Sequence, residues 1–220
     1  GFSKFDVPHR LMAQLSYTTP KYLNGWTSTT ISVIYNGFSG SRYSLTMNEV
    51  SDFNGDGQKG NSLLYIPTEA EMDNMNFVDY TDQKTGKLIM SAADSRKAFT
   101  EWVNNDDYAK NHRGQYAERN SNLSNWEHEI DLHLAQTIYN AQGLGKLEFT
   151  FDIINFANML NKKWGASYSS AYNLSPLTVV SLSTDENGNR NPGYAFNNAK
   201  INKSDISSRW HAQVGIRLTF

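Results

Sequence analysis

The sequence predicts an all-β protein whose strands each carry one apolar face and one polar face. In the last segment, Arg209–Phe220, the even positions are apolar and the odd positions are polar, charged or glycine. Side chains alternate between the two faces of a strand, so this segment is typical of an amphipathic strand. It is long enough to cross a bilayer at a tilt, which needs about 9–11 residues. The same period also fits a half-buried strand of a soluble sandwich.

Composition narrows the function classes. Only 39% of the 220 residues are hydrophobic, yet the chain has 12 Tyr, 11 Phe and 5 Trp. A membrane barrel carries its hydrophobicity in alternation, so low hydropathy is compatible with a membrane. The net charge of -2 gives no indication of nucleic-acid binding. The absence of Cys excludes disulfide scaffolds and thiol chemistry. Because the chain starts at Gly1 without an initiator Met, we expect a processed protein or a piece of a longer one.

Four further strands follow from the same alternation. In the first, Phe5, Val7, Leu11, Ala13, Leu15 and Tyr17 share one face, and Pro8 is expected near the strand's start. The second is rich in β-branched residues and could continue through Tyr43, Leu45 and Met47. The four predicted ranges are Phe5–Tyr17, Trp26–Phe38, Trp126–Asn140 and Lys146–Phe156.

The lengths of the connections indicate how the strands are arranged. They alternate short, long, short and long, at 18–25, 48–125, 141–145 and 157–208. This order is typical of an outer-membrane barrel, which has short periplasmic turns and long external loops. About five strands are predicted, whereas bacterial single-chain barrels use even numbers from about 8 upward. We infer the C-terminal part of a larger antiparallel transmembrane β-barrel, because an open wall would leave unpaired backbone in lipid.

The first long connection contains two short helical patterns, Thr68–Asn74 and Asp94–Asn104. In the second, Asp94 is the predicted N-cap. Phe99, Trp102 and Val103 form its predicted buried stripe.

Six segments, taken in order, resemble the TonB-dependent outer-membrane transporters, in the branch with a carboxypeptidase-regulatory-like N-terminal domain (Oar-like). The resemblance covers nearly the whole chain apart from the middle of the two long connections. At position 62 the family pattern usually has Asp, whereas this chain has Ser62. The segments are Phe5–Leu11, Ile34–Ser44, Asp52–Pro67, Arg119–Ile138, Leu147–Gly165 and Ser208–Phe220.

The resemblance implies a 22-stranded barrel with an N-terminal plug domain in its lumen. It implies import of a nutrient ligand (a small molecule, peptide or glycan) across the outer membrane of a Gram-negative bacterium. It also implies two partners, outer-membrane lipid and an inner-membrane TonB complex that transmits energy to the plug. No plug and no TonB box are recognised between Gly1 and Phe220, so both are expected in a missing N-terminal part.

A calcium loop is the main candidate site. Asp52, Asn54 and Asp56 stand at the first, third and fifth positions of an EF-hand-like pattern, and Gly57 is at the sixth. The twelfth position falls on Leu63, so the usual bidentate Glu is missing. Asn61, a backbone carbonyl near Gln58 or waters would have to complete the coordination of Ca²⁺. The alternative is a turn held by its own Asx side chains.

The polar faces carry many charged residues but predict no catalysis. Their expected role is cross-strand pairing, because no phosphate loop, nucleophile elbow or zinc motif is present. His128 is predicted to point away from Glu127 and Glu129, which argues against a metal or acid–base site there. The residues are Glu127, Glu129, Asp131, His133, Glu148, Asp152, Arg209, His211 and Arg217.

Aromatic residues near the strand ends predict girdles at the two membrane interfaces. They are Tyr17, Trp126, Tyr139, Trp164 and Trp210.

The sequence also predicts a register for the last two strands. Matching their ends and faces pairs Glu148 with Arg217, and a slip of two residues remains an alternative. Leu132, Phe149, Phe151, Val214, Ile216 and Leu218 are the predicted lipid-facing residues.

The leading hypothesis is therefore a TonB-dependent importer. One alternative is a calcium-stabilised adhesion or structural barrel at the cell surface. Another is a soluble carbohydrate-binding sandwich.

Overall fold

The architecture comes from a computed structural model that describes residues 1–49, 55–82, 84–139, 145–169, 172–184 and 186–220. The protein is mainly β, as predicted. The chain divides into two compact units, each described here by itself. The sheet unit comprises Val7–Gly40, Ser124–Ser169 and Asn202–Phe220, and the loop unit comprises Gly1–Asp6, Ser41–Leu123 and Ser170–Ile201.

The elements in chain order are β1 Arg10–Thr18, β2 Thr27–Phe38, β3 Arg42–Glu49, β4 Tyr65–Ile66, α1 Glu69–Asn74, β5 Tyr80–Thr81, β6 Leu88–Met90, α2 Ala92–Asn105, α3 Asp107–Asn111, β7 Gln115–Tyr116, β8 Asn122–Leu123, β9 Glu127–Tyr139, β10 Lys146–Ile154, α4 Phe156–Leu160, β11 Ser167–Ser169, β12 Asn173–Thr184, β13 Arg190–Phe196, β14 Asn202–Ser204 and β15 His211–Thr219.

The sheet unit is built on one antiparallel sheet in the order β1-β2-β9-β10-β15. These five strands correspond to the five predicted ones. The pairs Lys146–Tyr139 and Lys146–Thr219 show that β9, β10 and β15 have neighbouring ends. The short connections lie at this end of the strands. The longer connections begin at the opposite end of the strands, as the alternation of connection lengths predicts.

Among the described residues, this sheet does not close. Strands β1 and β15 each pair on one side only, so each is an edge strand. The predicted tight turn at 141–145 lies outside the described residues except for Gly145, whose φ is +95°.

Strand β10 ends earlier than predicted. It stops at Ile154 rather than Phe156, because Asn155 adopts a left-handed conformation with φ 55° and ψ 47°. The Asn155 side chain donates hydrogen bonds to the carbonyls of Gly165, at 2.8 Å, and Ser208, at 2.9 Å. These bonds hold the chain in a bend, and α4 follows directly.

The start of the first strand also differs from the prediction. Strand β1 begins at Arg10, and Phe5 belongs to the loop unit. The buried Arg42 side chain accounts for this, since its Nε donates to Asp6 Oδ2 at 2.7 Å and its guanidinium lies 3.8 Å from the centre of the Phe2 ring. These contacts hold Phe2 and Asp6 against β3.

The predicted continuation of β2 through Tyr43, Leu45 and Met47 is wrong. These residues form β3, which belongs to a different sheet in the loop unit. The separation occurs at Gly40, which packs against the neighbouring Ser124–Asn125 segment. A Cβ at position 40 would lie 2.0 Å from Ser124 Oγ and 2.5 Å from the Asn125 carbonyl, so only glycine fits there.

The loop unit has its own sheet, in the order β13-β12-β3-β8. Strand β12 runs parallel to β3 and antiparallel to β13, so the two long connections supply strands to one sheet. The described part of the unit also contains the two-stranded pairs β4-β7 and β5-β6.

The described part of this unit contains the helices α1, α2 and α3. Helix α1 begins at the predicted place, with Thr68 as N-cap in a capping box with Glu71. For α2 the predicted cap is wrong, because Ser91 caps the helix and Asp94 lies three residues inside it. The predicted stripe is confirmed, as Phe99 and Val103 are fully buried and Trp102 packs against them.

The core of the loop unit is apolar and continuous. Tyr43, Leu45 and Met47 of β3 face it together. The alternate residues Arg42, Ser44 and Thr46 are also buried, so both faces of β3 are covered. Its further members are Leu64, Ile66, Met72, Phe77, Phe99, Val103, Ala109, Ala117, Leu177 and Val179. A stretch that lacks sustained alternation in sequence therefore folds around a compact core.

Candidate functional site

The sheet unit has two chemically different faces. Its registers bring the odd residues of β1, β2 and β10 onto the same face as the even residues of β9 and β15. This face is mostly apolar and largely exposed: Leu15, Val214 and Ile216 are 76%, 74% and 70% exposed. It contains all six of the residues predicted to contact lipid, namely Leu132, Phe149, Phe151, Val214, Ile216 and Leu218.

A contiguous exposed apolar surface is unusual on a soluble protein. Here it extends over five strands, because each register places apolar positions next to one another. Val33 pairs with both Leu15 and Leu132, and Phe151 pairs with both Leu134 and Val214. Such a surface suits a solvent that is itself apolar, or a large partner.

Helix α4 covers part of this face near the strand ends from which the longer connections begin. Ala157 is buried, and an apolar hollow of about 180 Å³ remains. The hollow is lined by Val33, Ile130, Leu132, Phe156, Ala157, Leu160 and Trp164. Leu160 and Trp164 stay more than half exposed, so the helix extends the apolar surface rather than closing it.

Aromatic residues lie at the sheet ends, where the sequence predicts them. Trp126 stacks between His9 and His128, with ring centroids 6.3 and 6.0 Å away. Tyr35 extends this group of rings, because its hydroxyl is 2.8 Å from His128 Nδ1. At the other end Lys21 Nζ lies 3.9 Å from the centre of the Tyr139 ring.

The opposite face of the sheet is polar and held by cross-strand pairs. Arg10 Nε donates to Asn36 Oδ1 at 3.1 Å, and the Ser16 and Ser32 hydroxyls are 2.7 Å apart. The Asp152 carboxylate pairs with His133 across the β9–β10 ladder. These contacts match the structural role predicted for the polar face.

The predicted calcium residues are only partly described. Asp52 and Asn54 lie outside the described residues. Asp56 and Asn61 are brought together, since Asn61 Nδ2 donates to Asp56 Oδ2 at 2.9 Å. Asp56 Oδ1 accepts from the Gln58 backbone N–H at 2.8 Å, which is the geometry of an Asx turn. Within the described ranges, no group of three or more His, Asp or Glu side chains could hold a metal ion.

The loop unit also has an open groove of about 750 Å³. Asp79, Tyr80 and Lys84 supply polar groups to it, and Ile89 adds an exposed apolar side chain. One Asp79 oxygen already accepts from the Ala92 N–H at the start of α2. The groove is a concave surface with mixed chemistry, which sequence reasoning missed because its residues come from three separate segments.

Comparison of the chain with models of known protein families, with curated proteins and with solved structures found no match.

The part of the chain that the structure describes has no helix that is both long enough and apolar enough to cross a membrane.

Proposed function

We propose that this chain is part of the wall, together with the external loops, of an outer-membrane β-barrel that imports a nutrient ligand with energy supplied through TonB. The observation that carries the proposal is the five-stranded sheet with one exposed apolar face, one polar face and, within the described part of the chain, two edges that pair with no further strand. In lipid, an apolar outer face and a polar lumen are what a barrel strand requires. Unpaired edges require neighbouring strands, because no water is present to satisfy the backbone.

The distribution of connections supports an orientation. The short connections, at one end of the strands, correspond to periplasmic turns. The long connections, at the other end, correspond to external loops. The aromatic residues at the sheet ends correspond to the two lipid–water interfaces. In this orientation the loop unit is exposed to the outside of a Gram-negative cell.

The loop unit supports a role in ligand capture. It has its own buried core, so it can hold a rigid binding surface. Its groove combines carboxylate, phenol and amine groups with an exposed apolar side chain. Such a mixture suits a small molecule, a peptide or a glycan.

The transporter function rests on the family resemblance, and uptake by cells tests it. A bacterium that produces the whole protein would be compared with a strain lacking its gene and with a strain lacking TonB. Depletion of peptides and oligosaccharides from a complex medium would be followed by mass spectrometry. We expect one ligand class to persist in the medium of both deletion strains.

Equal depletion by all three strains, with the protein present at the cell surface, would overturn import. If the gene deletion instead reduced attachment of cells to a surface, and TonB loss did not, the adhesion alternative would be favoured. Recovery of the protein from the soluble fraction without detergent would favour a soluble sandwich.

A further inference from the structure

Glu49, the last residue of β3, is a buried carboxylate with an unused oxygen. Glu49 is only 6% exposed. One oxygen, Oε2, accepts from the Gly60 backbone N–H at 3.2 Å, whereas Oε1 is buried without a hydrogen-bond partner. Among the described residues, no ion pair includes Glu49. A buried charge without a counter-charge is strongly unfavourable, so this carboxylate requires one.

Two more buried oxygens without partners follow Gly60 in the chain. They are Asn61 Oδ1 and Ser62 Oγ. The segment that contains them pairs with β3: Thr46 and Leu63 form an antiparallel bridge, and the Met47 N–H donates to the Ser62 carbonyl at 2.9 Å. This pairing places Glu49 opposite Gly60, with Ser62 diagonal to Glu49 on the same face.

A cation satisfies these oxygens better than a water molecule does. A water could donate a hydrogen bond to Glu49 Oε1, but it would leave the buried negative charge unbalanced. The available ligands on this face are the Glu49 carboxylate and the Ser62 hydroxyl, which are both oxygen donors. Hard divalent cations prefer such ligands, and Ca²⁺ accepts the irregular geometry of mixed oxygens more readily than Mg²⁺ does.

We propose that Glu49 and the segment Gly60–Ser62 form a divalent-cation site in which Glu49 is the charged ligand for Ca²⁺. Ser62 is the neutral ligand beside it. Asn61, the alternate residue, is bonded through its amide to Asp56 and is not needed as a ligand. Its two ligands, Glu49 and Ser62, are described residues on one face, and the site does not depend on Asp52 or Asn54. It does not depend on import either. With one charged ligand, we expect a dissociation constant on the order of 10⁻⁴–10⁻³ M, as in extracellular calcium modules.

Substitutions at two positions give opposite expectations. Glu49→Gln keeps the shape of the side chain but removes its charge, so Ca²⁺ affinity should fall at least about tenfold. Ser62→Asp adds a second carboxylate next to Glu49, so affinity should rise about tenfold in the presence of the cation. Without a cation the same change brings two buried carboxylates together and should destabilise the loop unit. Glu101→Gln, on an exposed position of α2, is the matched control.

The experiment is isothermal titration of the detergent-solubilised whole protein with CaCl₂ and, separately, with MgCl₂. Hydrogen exchange of the Gly60 and Ser62 amides, with and without a chelator, provides a second measurement that does not need a variant. The proposal predicts calcium-dependent protection of these amides in the wild type. It also predicts that Ca²⁺ affinity is highest in Ser62→Asp and lowest in Glu49→Gln. The wild type and Glu101→Gln should lie between them with equal affinity.

Two results would overturn the proposal. One is the absence of both binding and protection at millimolar Ca²⁺ in the wild type and in Ser62→Asp. The other is loss of binding in Asp56→Ala together with unchanged binding in Glu49→Gln, which would locate the cation in the Asx-rich turn without Glu49. Neither result bears on uptake, so failure of this site and failure of the import proposal are distinguishable.

Discussion

Arg217 of β15 lies directly opposite Glu148 of β10, and its Nη1 is 3.5 Å from Glu148 Oε1. Lys146 Nζ is also 3.1 Å from the other Glu148 oxygen. Because the Arg217 side chain is largely exposed, this pair contributes roughly 0.2–1 kcal/mol. Its importance is geometric, since it identifies the register of the last two strands.

The register predicts which cysteine pairs can be crosslinked. Glu148→Cys combined with Arg217→Cys should form a disulfide readily, since opposed residues have Cβ atoms about 4.5–5.5 Å apart. Glu148→Cys combined with Gly215→Cys or Thr219→Cys should crosslink much more slowly. Gel mobility before and after reduction measures all three. Faster crosslinking of 148 to 215 or 219 would show that the strands are shifted by two residues.

The apolar face predicts a position-dependent cost for charge. Val214 is 74% exposed on this face, opposite Phe151. In a bilayer, Val214→Arg should cost roughly 2–4 kcal/mol, because a guanidinium would enter hydrocarbon. Gln213→Arg, on the polar face, is the control and should be nearly neutral. Urea unfolding of the whole protein from lipid vesicles provides the comparison, and equal stabilities would mean that the face does not contact lipid.

The core of the loop unit predicts a large effect of truncating Phe99. This ring is fully buried between Phe77 and Trp102. Phe99→Ala should cost roughly 3–5 kcal/mol through lost apolar burial and the cavity that remains. Lys97→Ala, two residues away on the exposed side of α2, should have little effect. Hydrogen exchange of the α2 amides measures the loss locally, and unchanged protection in Phe99→Ala would contradict the compact core.

The capping box of α1 predicts acid sensitivity. Hydrogen bonds from the Thr68 backbone N–H and hydroxyl and from the Tyr65 hydroxyl lower the pKa of Glu71 below its usual value of 4.5. A lowered folded-state pKa stabilises the helix start above the ordinary pKa, and this contribution disappears as the pH falls through the folded-state value.

Exchange of the Met72 amide should therefore become faster as the pH is lowered from about 6 to about 3, beyond the intrinsic pH dependence of exchange. In Glu71→Gln this additional acceleration should be absent, since the glutamine side chain does not titrate. The same acceleration in both proteins would assign it to another group.

The orientation predicts which cysteines react on intact cells. Lys84→Cys lies in the first long connection and Lys21→Cys in a short one, and both side chains are exposed. A membrane-impermeant maleimide should label the first on intact cells and the second only after the outer membrane is permeabilised. Labelling of position 21 on intact cells would reverse the orientation.

Local pattern predicted the strands of the sheet unit well. A period of two specifies which side chains share a face, and a shift by one residue would exchange the faces, so the sequence limited the register of β10 and β15 to shifts of two residues. The structure decided between them. The confirmed pair Glu148–Arg217 is the example. The end of β10 could not be predicted, because Asn155 bends the chain through bonds to distant residues, Gly165 and Ser208.

The sequence by itself determined the five amphipathic strands, their order and the location of α1, because these patterns depend on neighbours within a few positions. Only the tertiary structure decided that β3 leaves the first sheet and pairs with β12, about 130 residues later in the chain. It also decided that Glu49 is buried beside Gly60, since its burial depends on pairing between β3 and a separate segment. Contacts between distant segments leave no period in the sequence, and for this reason Glu49 could not be recognised before the fold was known.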